Sequence, residues 1–89
     1  MKVKCHYTQT FVLAMSSNSA YPKILSRIRQ KFNNQNLMLK YRDEDNDWVS
    51  VVDQGDLDIA RGFFGGDSVR SNKLEVWCYD PSKSVINTR

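Results

Sequence analysis

Residues 37–57, LMLKYRDEDNDWVSVVDQGDL, contain two short apolar runs, a block of acids between them and a helix start behind them. Leu37 to Tyr41 and Trp48 to Val52 predict a pair of strands, with residues 42–47 as the charged turn that joins them. Asp53, followed three residues later by Asp56, predicts a helix N-terminus, because a short carboxylate can accept the orphan N–H groups of a first turn. Leu57, Ala60 and Phe64 recur behind it at helical spacing, and Gly65–Gly66 ends the run.

Upstream of this block, Val3, Cys5 and Tyr7 alternate with Lys2, Lys4 and His6, which predicts a strand with one apolar and one basic face. Phe11, Leu13 and Met15 alternate with Val12 and Ala14, giving a second strand after a turn near Thr8–Gln9. Ser16 to Ser19 is a polar connection, and Ser19 is a candidate cap for a helix with Pro22 in its first turn. Tyr21, Ile24, Leu25, Ile28 and Phe32 form the apolar stripe of that helix, and Asn33, Asn34 and Asn36 stop it. Downstream, Leu74, Val76 and Cys78 alternate with Glu75, Trp77 and Tyr79 in a last strand closed by Pro81. The order is ββαββαβ, an α+β layer of a mixed sheet and two helices, and in size it matches the ubiquitin-like β-grasp. One domain over residues 1–80 and a polar, flexible tail over 81–89 are expected.

Charge is segregated along the chain. Residues 1–40 carry seven Lys or Arg and no acid, whereas residues 41–58 carry seven acids and one Arg. Surfaces ordinarily mix their signs, so this separation predicts two opposed patches that steer charged partners. The acidic run needs a compensating cation, a basic partner or water, because like charges this close repel. Asp43, Asp45 and Asp47 match three positions of a calcium-binding helix–loop–helix loop, but Trp48 stands where Gly is needed and Gln54 where a bidentate Glu is needed. No metal and no cofactor are therefore expected. His6 is the only histidine, and neither a nucleophile–base arrangement nor a phosphate-cradling glycine loop occurs, so the chain is not read as an enzyme. Cys5 and Cys78 lack metal-ligand spacing and read as two buried free thiols on neighbouring strands.

The run Tyr41, Asp43, Asp45, Asn46, Asp47, then an apolar strand and Asp56–Leu57, resembles the acidic signature of the Phox/Bem (PB-one) domain. That signature has Tyr-x-Asp-x-Asp/Glu-Gly-Asp, about eight further residues, then an acid and Leu. The family's second signature is a lysine in the first strand, and Val3-Lys4-Cys5-His6 occupies that place. The likeness spans about residues 2–79. Asn46 stands for the usual Gly and tolerates the same left-handed backbone. Gln54 and Gly55 stand where relatives often carry acids, and the second strand lacks the basic residues some relatives add.

The resemblance implies a protein-interaction module that pairs front to back with another such domain. Asp43, Asp45 and Asp47, with Asp56 at their edge, would take a partner's Lys or Arg. Lys4, helped by Lys2 and by Arg27 on the first helix, would enter a partner's acidic turn. A chain with both faces is also expected to self-associate weakly. The ending Leu74-Glu75-Val76-Trp77-Cys78 and the opening His6-Tyr7-Thr8 are similar to modules of NADPH-oxidase activators and fungal cell-polarity scaffolds. A heterodimer within such a signalling scaffold follows, as part of a longer protein. Trp77 is expected beside Lys4, orienting it by a cation–π contact. The alternative reading is a nucleic-acid or anionic-membrane binder that uses the basic N-terminal half. A ubiquitin-like modifier would need a terminal Gly-Gly, which Asn87-Thr88-Arg89 does not supply. Without a signal-peptide pattern or a long apolar run, a cytoplasmic location and no membrane insertion are expected.

Overall fold

A computed structural model describes residues 1–65 and 73–84. In chain order the elements are β1 (Lys2–His6), β2 (Thr10–Ala14), α1 (Tyr21–Phe32), β3 (Met38–Arg42), β4 (Trp48–Val51), α2 (Gln54–Gly65), β5 (Lys73–Tyr79) and a short α3 (Pro81–Ser84). The five strands make one mixed sheet in the order β2-β1-β5-β3-β4. β1 and β5 run parallel at its centre, and the remaining neighbours are antiparallel. This is the α+β grasp expected from the periodicities, with strand ends displaced by a residue.

The alternation of apolar and polar residues sets the two faces of the sheet. Val3, Cys5, Leu13, Leu39, Tyr41, Val51, Leu74, Val76 and Cys78 turn inward and are buried. From α1, Tyr21, Ile24 and Ile28 close over them, and from α2, Leu57 and Ala60. Leu25 and Phe32 complete the α1 stripe at its border. Phe32 meets Tyr7 edge-on at 5.6 Å and Phe11 at 5.1 Å, so the end of α1 packs on the β1–β2 hairpin. Cys5 and Cys78 are free and buried on adjacent strands, and burial pushes the Cys78 thiol up to about 12. The other sheet face carries no helix among the described residues.

The helix ends show what sequence alone could and could not supply. Asn33 takes a left-handed backbone (φ 55°) and ends α1, as the asparagine run predicts. Ser19 does not cap α1. The cap position is Ala20, which offers no side-chain bond, and the Ser19 hydroxyl is buried without a hydrogen-bond partner among the described residues. The Tyr21 N–H instead donates to Gln54 Oε1 at 2.7 Å, so the start of α2 caps the start of α1. Pro22 has no N–H to satisfy, which lessens the need for a local cap. At the start of α2, Asp53 acts as expected: its Oδ1 accepts the Asp56 N–H at 2.9 Å.

Residues 81–84, at the start of the expected tail, form α3. Asp80 accepts from Ser82 N–H (2.9 Å), Ser82 hydroxyl (2.6 Å) and Asn34 Nδ2 (3.0 Å), tying α3 to the end of α1. These bonds hold the Asp80 carboxyl below its ordinary range. Phe64 as a stripe residue, Gly66 as a helix stop and residues 85–89 of the tail lie outside the described side chains and residues.

Gly62 sits in α2, and a methyl group added there would meet nothing within 4 Å. Glycine in a helix interior costs about 0.5–1 kcal/mol relative to alanine. Gly62→Ala is therefore expected to raise unfolding stability by about that amount, read as a higher urea midpoint at unchanged slope.

Candidate functional site

The acidic turn is a built hairpin loop. Asn46 N–H donates to the Asp43 carbonyl at 2.9 Å, and Asp43 N–H donates to the Asp47 carbonyl at 3.0 Å. Asn46 has φ 65°, the left-handed position that closes a three-residue loop after a tight turn. Asp43 Oδ1 accepts the N–H groups of Asp45 (3.0 Å) and Asp47 (2.9 Å). One oxygen of the Asp43 carboxylate is thus engaged in fixing the loop. Those two donors partly offset the repulsion among the acids.

One ligand oxygen from each of Asp43, Asp45 and Asp47 lies within 4.8 Å of the others. Among the described residues, the carboxylates of Glu44, Asp45 and Asp47 make no hydrogen bond or ion pair. The nearest cation in sequence, Arg42, is turned elsewhere. Its Nη1 donates to the Asn46 carbonyl at 3.3 Å, and its guanidinium lies 4.5 Å from the centre of the Trp48 ring. The acids are therefore not neutralised by the chain's own described lysines and arginines.

Asp56 has two local duties. Its N–H caps onto Asp53, and its Oδ2 accepts the Val52 N–H at 3.0 Å, which seals the β4–α2 junction. Its charge also acts on Tyr41, as do the charges of two acids of the turn. Burial first, and then the negative charges of Asp43, Glu44 and Asp56, push the Tyr41 phenol above its ordinary value.

The basic residues separate into two groups. Lys2 and Lys4 are exposed on the open face of β1, and neither has a hydrogen bond, ion pair or ring contact among the described residues. Arg27 is exposed on α1 between Ile24 and Ile28, which are buried against the other side of the sheet. The sheet stands between Arg27 and Lys4, so the structure does not gather all three. Lys73 is the basic neighbour that the sequence reading missed. It is exposed on β5 and pairs in register with Lys2. Only the parallel β1–β5 pairing brings it there, and no local signal announces that pairing.

Trp77 does not orient Lys4. The residue opposite Lys4 is Glu75, and Trp77 lies opposite His6. Trp77 stacks on the His6 ring (4.8 Å, 21° between planes) and meets Trp48 edge-on at 5.4 Å. Lys40 and Arg42 supply the cations on this part of the face: Lys40 lies 4.4 Å from the Trp48 ring and 5.3 Å from Tyr79, and Arg42 shares the Trp48 ring. Two charged flanks result. The acids sit at the β3–β4 edge with the start of α2, and the lysines sit on the open face across β1 and β5.

A family model described as "PB1 domain", the Phox/Bem (PB-one) family, matches residues 1–80. A solved structure titled "AtNBR1-PB1 domain" is 21% identical, with 90% of this chain and 96% of that chain covered at a TM-score of 0.61. Likeness at that identity is a likeness of fold. A search of curated proteins gave no match.

Proposed function

This chain belongs to the PB1 domain family, whose members are protein-interaction modules that bind other PB1 domains, and we propose that it pairs front to back through both of its charged flanks. In this reading Asp45 and Asp47, on a loop fixed by Asp43 and bordered by Asp56, take a partner's lysine or arginine. Lys4, flanked by Lys2 and Lys73, enters a partner's acidic turn. The partner is another PB1 domain, and the pair forms a heterodimer in a cytoplasmic signalling scaffold of the cell-polarity or oxidase-assembly kind. Arg27 takes no part in the Lys4 contact, because α1 lies on the other side of the sheet.

One observation carries the reading: the acidic turn is held in shape by backbone N–H groups while the Asp45 and Asp47 carboxylates remain without a described partner. A loop organised in this way offers negative charge without first having to break an internal ion pair. Charge-assisted hydrogen bonds to an incoming ammonium are shorter and stronger than neutral ones.

Titration against a panel of PB1 domains at several salt concentrations tests the proposal. Affinity is expected to fall by on the order of tenfold between about 0.05 M and about 0.5 M salt. Binding that ignores salt, or no binding to any member of the panel, contradicts it. A gel shift with random duplex serves as the control. Strong retention there would favour the nucleic-acid alternative.

A further inference from the structure

The open face of the sheet contains an acid in a compromising position. Glu75 lies directly opposite Lys4 on the neighbouring strand, with both side chains on the same face. Side chains so placed are close enough to pair. Among the described residues they do not pair; Glu75 Oε2 instead lies 2.7 Å from His6 Nε2. His6 is fixed on two further sides. Its Nδ1 is 2.8 Å from Thr10 Oγ1, and its ring stacks on Trp77.

We infer that His6 is a positioning residue that holds the Glu75 carboxylate away from Lys4 and so keeps the lysine open to a partner's acidic group. The carboxylate can only accept, so His6 Nε2–H is the donor. The Thr10 hydroxyl can donate to Nδ1 of a neutral ring or accept from a charged one, so the arrangement suits either protonation state. Without His6, Lys4 is the cation directly opposite Glu75 on β1. A partner would then have to displace an internal anion before it could bind. This deepens the proposed function and rests on Lys4 as the partner contact, but the primary test needs no partner.

That test is trace acetylation with acetic anhydride, read by peptide mass spectrometry, with the exposed Lys23 of α1 as internal reference. The proteins are wild type, His6→Ala, His6→Phe, Glu75→Gln and the double variant His6→Ala/Glu75→Gln. His6→Phe preserves a ring against Trp77 and removes both ring nitrogens, and with them the contacts to Glu75 and Thr10. The Lys4/Lys23 labelling ratio is expected to fall roughly two- to fivefold in both single His6 variants, the size of an exposed ion pair. It is expected to stay unchanged in Glu75→Gln and to return to wild type in the double variant. An unchanged ratio in the His6 variants overturns the inference, and so does an equal fall in the double variant. A parallel titration uses a second copy of the chain carrying Lys4→Ala as the acidic-face probe. If labelling behaves as expected while this binding does not move, the role of Lys4 as partner contact fails and the positioning role of His6 stands.

Discussion

Lys4→Ala is expected to abolish binding to partners that offer an acidic turn and to leave binding to partners that offer a lysine intact. Asp45→Ala with Asp47→Ala is expected to do the reverse. Truncating one member of a desolvated charge pair costs about 2–5 kcal/mol, much of it from the charge left buried without its mate. That corresponds to a loss of roughly thirty-fold to several thousand-fold in affinity. The residues are chosen so that the fold is spared. Lys4, Asp45 and Asp47 have no side-chain partner among the described residues, so each replacement should alter stability by no more than about 0.5 kcal/mol. Asp43 is the wrong choice for this experiment, because its carboxylate secures two backbone N–H groups of the loop. Calorimetric titration against one partner of each kind, with thermal unfolding of every variant, gives the answer. Wild-type affinity in both variants, or loss of both partner classes in either one, rejects the two-faced assignment.

Leu57→Ala carries the second large effect, and it acts through the fold. Leu57 is fully buried in the first turn of α2. Replacing a buried leucine by alanine costs about 2–5 kcal/mol, from lost burial and the cavity left behind. A domain of this size has a total stability of roughly 5–13 kcal/mol, so a large share is lost. The damage should also be directional. Asp56 precedes Leu57, caps onto Asp53 and bonds the Val52 N–H, so the seating of α2 fixes the edge of the acidic surface. In the surviving folded population, lysine-type partners should bind more weakly while acidic-turn partners bind as before. Urea unfolding with unchanged slope and a lower midpoint, together with the two titrations, checks both parts. A midpoint within error of wild type would show that Leu57 is not a keystone of α2.

The elements that the sequence discloses are those governed by local rules. Alternation in residues 2–6 puts Val3 and Cys5 inside and Lys4 outside, and the buried and exposed pattern follows it. Asn46 in a left-handed turn and Asp53 as a helix cap are likewise readable, because each needs only a few neighbouring residues. What escaped was long-range. Local rules point to Ser19 as the cap of α1, yet Gln54 supplies the bond to Tyr21 N–H from 33 positions away. The sequence suggests Trp77 beside Lys4, but the β1–β5 register puts it beside His6 and sets Lys73 next to Lys2. Arg27 shares the sign of Lys4 and not its side of the sheet. Charge counting along the chain cannot separate the two, since it carries no information about which layer a residue joins.

The parallel pairing of β1 with β5 also governs when this domain can fold in a cell. The central pair of the sheet joins residues 2–6 to residues 73–77. During translation the first strand leaves the ribosome well before its neighbour has been made, by several seconds at ~5–20 residues per second. Through that interval one edge of β1 has no strand to pair with, and its apolar side has no finished core. Such a segment is a natural target for chaperones, and a chain released before β5 is complete has no route to the sheet.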